Sequence, residues 1–248
     1  MRGGFVLGAS GRHTRRANSV APDPGGGGDL DARLDEVEAW YAGRGQPAVF
    51  KLTAAADPPG LDEALAMRGY AREGETLGMT VALEGALSRS PAAMGGRGSI
   101  ELLAGRVDQR WFEASCVLSG IAAEARDDYR AILDRCVETQ RAVIFGSLER
   151  EGRLVSVAMG SVVEDVVSFV AVATDREHRG QGLAETVLRA IGFVAREHEA
   201  ERALLSVERE NGSARRLYTR MGFEERYRYW YRVQRGRRGP RGRRSGLR

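Results

Sequence analysis

The segment that most constrains this chain is Val166–Ala184, VVSFVAVATDREHRGQGLA: an apolar run, a polar turn, then Arg179-Gly180-Gln181-Gly182-Leu183-Ala184 opening an amphipathic stretch. The β-branched run Val166–Thr174 predicts a strand. Leu183, Val187, Leu188, Ile191, Val194 and Ala195 recur at helical spacing and predict a helix behind it. A strand leading through glycines into a helix N-terminus presents free backbone N–H groups, reinforced by the helix dipole, and that chemistry suits a phosphate. An ordinary tight strand-to-helix connection has the same pattern. It is not the dinucleotide fingerprint, because the third glycine is missing and the preceding strands read as antiparallel.

The flanking sequence gives this segment a setting. Val143–Leu148, Leu154–Val162 and Val166–Thr174 read as three antiparallel strands, with turns at Arg150-Glu151-Gly152 and Glu164-Asp165. Ahead of them come a strand at Ile100–Leu103, a helix around Trp111, Phe112 and Ser115, and a clearer helix over Ala123–Val137. After the glycine loop and its helix follow a strand at Ala203–Val207, a helix Ser213–Met221 closed by Gly222, and a strand Tyr227–Val233. In the N-terminal third, Leu30, Leu34, Val37 and Tyr41 mark a helix capped by Asp29. Ala48–Thr53 and Thr76–Leu83 read as strands around a short helix Leu61–Met67 that ends at Gly69. The class is α/β (α+β) with a mixed sheet.

A weak internal repeat joins the halves. Helix, strand, short helix, glycine-aromatic and strand occur in one order in both, and Leu65–Tyr70 (LAMRGY) echoes Tyr218–Phe223 (YTRMGF). The first copy has no glycine loop. Either it is a degenerate lobe that kept the fold and lost the ligand site, or two short α/β units merely look alike. Pro22–Asp29 is a glycine-rich loop and Ser88–Ser99 the best linker, which sets expected domains at 1–95, 96–234 and 235–248.

Composition excludes several classes. The net charge is +4, but residues 235–248 hold seven arginines and no acid, and removing seven positive charges from +4 leaves −3. The basicity belongs to a Gly/Arg tail that has too few apolar residues to build a core and touches nucleic acid weakly at most. Lys51 is the only lysine, so arginine counts carry little functional information. No apolar run approaches the roughly 18 residues of a membrane span, and Phe5-Val6-Leu7 is too short for a signal-peptide core. Cys116 and Cys136 supply neither a disulfide framework nor a zinc site, so the expected home is the cytoplasm and no metal is expected.

Two motifs, in order, resemble the GNAT superfamily of acetyl-CoA-dependent N-acetyltransferases. Its first signature, Arg/Gln-x-x-Gly-x-Gly/Ala after a strand, is matched by Arg179, Gly182 and Ala184. The second, Asn-x-x-Ala-x-x-Leu-Tyr-x-x-x-Gly-Phe, is matched by Asn211, Ala214, Leu217, Tyr218, Gly222 and Phe223. The resemblance covers residues 100–234. It implies a mixed, mostly antiparallel sheet flanked by helices, a smaller N-terminal lobe, acetyl-CoA as acyl donor, and an amine acceptor bound by residues 105–140. It also implies that Val172, Ala173 and Thr174 pair with the pantetheine arm. Arg179, Gly180, Gln181, Gly182, Leu183, Ala184 and Glu185 then cradle the pyrophosphate, and Asn211 contacts the arm. Tyr218 protonates the departing thiolate. Phe169 and Ala171 put no carboxylate where some relatives keep a general base, so Glu208 is the nearest candidate, with Glu164 and Asp165 as alternatives. His178 sits beside the loop; His13 and His198 have no partner signature. A non-catalytic acyl-CoA-binding module and a tail-tethered, protein-directed acetyltransferase are the competing readings.

Overall fold

A computed structural model describes residues 2–11, 14–23, 27–54, 58–84 and 98–234; most of the expected linker, the basic tail and His13 lie outside them. In chain order the elements are β1 (Phe5–Leu7), β2 (Val20–Pro22), α1 (Leu30–Ala42), β3 (Val49–Thr53), α2 (Leu61–Met67), β4 (Tyr70–Ala82) and β5 (Ser99–Ala104). There follow α3 (Gln109–Leu118), α4 (Arg126–Thr139), β6 (Ala142–Arg150), β7 (Arg153–Val163), β8 (Val166–Thr174), α5 (Leu183–Glu197), β9 (Arg202–Glu208), α6 (Gly212–Arg220) and β10 (Glu224–Gln234). The mixed, mostly antiparallel sheet with helices that the sequence implies is present. Among the described residues no helix is long and apolar enough to cross a membrane.

Two compact units share these elements. Of the described residues, one takes 2–9, Arg15–Gly74 and Tyr229–Gln234; the other takes Ser10–Thr14 and Glu75–Arg228. The unit boundaries therefore fall inside β4 and β10.

In the first unit the strand order is β1-β2-β3-β10, with β2 and β3 parallel and the other pairs antiparallel. Asp29 caps α1 by accepting from the Asp31 and Ala32 amides, and the buried Leu34, Val37 and Tyr41 pack with Phe50, Leu52 and Leu65. The short β1 and β2 leave no periodic trace in the sequence. Arg33 secures β1: its Nε and Nη2 donate to the Gly3 and Gly4 carbonyls and its guanidinium lies 4.7 Å from the Phe5 ring centroid.

In the second unit the order is β4-β9-β8-β7-β6-β5, with only β8 and β9 parallel. Alternate residues of β6 serve two cores, as strand periodicity requires. Ile144 and Leu148 join Val187, Leu188 and Ile191 of α5, whereas Val143 and Phe145 join Trp111, Tyr129 and Leu133 of α3 and α4. Gly160 is required here, since a Cβ on it would stand 2.4 Å from Ile191 Cγ2 and push α5 off the sheet.

The last strand of each half is exchanged. In the first half, α1-β3-α2 leads through Gly69 (φ +82°) into β4; in the second, α5-β9-α6 leads through Gly222 (φ +90°) into β10. Yet β4 pairs with β9 over Thr76–Ala82, and β10 pairs with β3 over Tyr229–Val233.

Candidate active site

The site begins where two neighbouring strands part. Strands β8 and β9 are paired only from Val166↔Arg202 to Phe169↔Leu205, while β9 continues along β4 to Glu208. Just past that point the β7–β8 register shifts between Val157 and Met159, and Ala171 adopts φ +52°. This is a β-bulge, an extra residue that bends its strand and leaves the ladder. It turns the end of β8 away from β9 and opens a wedge between them.

Beyond the bulge the ladder to β7 resumes. The Asp175 amide donates to the Val155 carbonyl at 2.8 Å, so by antiparallel alternation Ala173 bonds to Val157 and the main-chain groups of Thr174 point away from β7, into the wedge. Buried Ser156 fixes this end: its Oγ lies 2.9 Å from Thr174 Oγ1 and 3.3 Å from the Ala173 carbonyl. The Thr174 carbonyl accepts from Arg179 Nε at 3.3 Å.

Strand β8 then runs through a 3-10 turn at Arg176–His178 into α5. The helix starts at Gly182, left-handed at φ +76°, and no side chain caps it. The amides of its first turn are thus left for an external acceptor. Glu185 in that turn does not oppose an anion with its full charge, because Arg189 holds it at 2.8 Å and Arg220 stands 3.9 Å away. Gly180, also left-handed at φ +76°, has nothing within 4 Å of its missing side chain.

Helix α6 closes the opposite wall. Asn211 is its N-cap, with Oδ1 accepting from the Ala214 amide and from Ser213 Oγ, both at 3.1 Å; its side-chain amide remains available as a donor. Tyr218 is 7% exposed and packs edge-to-face on Phe223 at 5.9 Å. Burial pushes its phenol up to about 12, so the hydroxyl is protonated at neutral pH. Among the described residues nothing hydrogen-bonds to it.

These walls enclose a cavity of about 670 Å³, within the range of ligand sites. Eleven of the residues singled out in the sequence line it: Val172, Ala173, Thr174, Arg179, Gly180, Gly182, Leu183, Ala184, Glu185, Asn211 and Tyr218. Two do not. Gln181 turns aside, its Oε1 accepting from Arg150 Nη1 at 2.5 Å. Glu208 follows buried Val207 on the other face of β9 and is exposed, outside the lining. Asp165, ion-paired with Arg202, and Glu164 occupy the turn at the far end of β8. The cavity therefore receives none of the three carboxylates considered as bases.

Leu118, Ser119, Ser213, Arg216 and Arg220, which no sequence motif singles out, also line it, as does His178. His178 Nδ1 is buried without a hydrogen bond, 3.6 Å from Asp175 Oδ1. The His178 ring and the Glu177 amide hold the Asp175 carboxyl below its usual range, the amide having the larger effect. On α6 the spacing of Ser213, Arg216 and Arg220, three and four residues apart, is the signal that groups them on one face. Among the described residues no group of three or more His, Cys, Asp or Glu is placed to hold a metal ion.

Residues 109–223 match the acetyltransferase (GNAT) family. A Bacillus subtilis protein described as the uncharacterized N-acetyltransferase YobR is 30% identical over 236 residues, covering 94% of this chain and 91% of its own. The fold is similar to that of a GCN5-related N-acetyltransferase from Kribbella flavida, with a TM-score of 0.63, 20% identity, and coverage of 88% of this chain and 79% of that one. It is also similar to a tandem GNAT protein from the clavulanic acid biosynthesis pathway, with a TM-score of 0.60, 16% identity, and coverage of 82% and 69%. With a relative of this identity matched along most of both chains, the protein belongs to the GNAT family of acetyl-CoA-dependent N-acetyltransferases.

Proposed function

We propose that the enzyme moves an acetyl group from acetyl-CoA to a primary amine of a small molecule or peptide by direct attack in a ternary complex. The observation that carries this is the convergence of three features on one cavity: the bulge-opened wedge of β8, the uncapped N-terminus of α5 and the buried phenol of Tyr218. In this reading the α5 amides and glycine loop take the pyrophosphate, the main chain of Val172–Thr174 pairs with the pantetheine arm, and the Asn211 amide adds a donor. The amine attacks the thioester carbonyl, and the tetrahedral intermediate collapses with the C–S bond breaking. Tyr218 gives its proton to the departing thiolate. The lining carboxylate, Glu185, is held by Arg189, so the proton lost by the amine passes to water.

The acceptor enters from the α3–α4 side, where Leu118 and Ser119 border the cavity. The first-half unit is read as a lobe that lacks the glycine loop, and the similarity to a tandem GNAT fold supports that reading. The test is a screen of small amines, amino acids and peptides with acetyl-CoA, following free thiol, with Tyr218→Phe alongside. Acceptor-dependent thiol release that the variant loses is the expected result; release without any acceptor dependence would refute the transfer.

A further inference from the structure

The arginines bordering the cavity differ in how they are engaged. Arg179 gives its Nε to Thr174, and Arg220 faces Glu185. Arg216 lines the cavity yet has no ion pair or hydrogen bond among the described residues. Ser213, Arg216 and Arg220 are spaced three and four residues apart, so they stack turn upon turn along one flank of α6. All three are exposed while bordering the cavity, and they therefore form its mouth. Tyr218, on the inner side of the same helix, is buried. A ligand that brings its reacting end to Tyr218 leaves its far end against this flank.

Charge says what that far end carries. Glu185, the carboxylate among these lining residues, is already held by Arg189, which leaves the mouth positive around Arg216. A planar guanidinium without a partner matches a phosphate through paired N–H donors. The α5 amides are placed for a pyrophosphate, and coenzyme A bears one further phosphate, a monoester on its ribose, at the end remote from the thiol. We infer that Arg216, with Arg220 beside it, is the subsite for this ribose phosphomonoester and makes the enzyme select coenzyme A over its dephospho form and over acyl-pantetheine donors. The inference rests on the acetyl-CoA reading above.

Calorimetric titration of the full chain with coenzyme A and with 3′-dephospho-coenzyme A tests it, in wild type, Arg216→Gln and Arg216→Lys. Wild type should prefer coenzyme A by about tenfold or more at low salt, the scale of a charge-assisted contact. Arg216→Gln should lose about that factor for coenzyme A and nothing for the dephospho form. Arg216→Lys should keep part of the preference, since it retains the charge and loses the fork. Being exposed and unpaired, Arg216 should be replaceable by Gln without a change in melting temperature. Equal binding of both ligands by wild type, equal weakening of both in Arg216→Gln, or a large drop in its melting temperature would overturn the subsite. A wild-type protein that bound neither ligand would overturn the coenzyme reading itself.

Discussion

Arg179 Nε donates to the carbonyl of Thr174 at 3.3 Å, tying the arginine of the glycine loop to the end of the strand that precedes it. The signature arginine thus spends a donor on the main chain, and part of its role is to hold the loop against the wedge. Arg179→Ala should raise KM for acetyl-CoA several-fold with kcat nearly unchanged, because an exposed neutral-acceptor bond contributes on the order of 1 kcal/mol. A fall in kcat with KM unchanged would contradict a positioning role.

Tyr218→Phe removes the proposed donor and keeps the ring on Phe223. The kcat should drop by roughly 10² to 10⁴, typical of a general acid, with little change in acetyl-CoA affinity. Steady-state kinetics with a good acceptor from pH 6 to 9 checks this; an unchanged kcat would make Tyr218 a packing residue.

The tyrosines give a sign to alkaline stability. Burial pushes both Tyr129 and Tyr218 up to about 12 from an ordinary value of 10. Between these values the unfolded chain releases protons that the folded chain keeps. Their contribution to stability is therefore complete below pH 10 and is lost as pH rises to 12, by up to about 1.4 kcal/mol per pH unit for each group. Urea unfolding at pH 9 and 11 should show a smaller loss in Tyr129→Phe and Tyr218→Phe than in wild type.

Ala171 pays for the bulge with a left-handed backbone at φ +52°. Ala171→Gly should stabilise the fold by up to about 1 kcal/mol and preserve activity, whereas Ala171→Val, β-branched in that region, should destabilise it and raise KM for acetyl-CoA. Thermal melts and KM values for the pair decide the matter; a Val variant with wild-type melting and KM would show that the bulge does not depend on this residue.

A chain beginning at Gly98 lacks β4 and leaves β9 without its antiparallel partner from Thr76 to Ala82. An uncovered strand edge is a template for aggregation, so this truncation should aggregate or lose activity. Size-exclusion chromatography and an activity assay check it, and a stable, active monomer would contradict the pairing.

The sequence by itself determined the strand–glycine–helix segment and the short helix closed by Gly222, and its resemblance to the GNAT motifs picked out eleven of the lining residues. Those features are local: β-branched runs, a 3.6-residue period, and glycines placed where φ must be positive. Only the tertiary structure decided the rest. The exchange of β4 and β10 is invisible in sequence because pairing partners are chosen across the fold, by registers that local pattern does not encode. The wedge depends on the bulge at Ala171, an ordinary alanine whose conformation is imposed by the β7 register. Glu208 looked near the site along the chain and is turned away by strand alternation. Arg216 gives no sign among so many arginines; it stands out only because the folded chain brings it to the mouth of the cavity without a partner among the described residues.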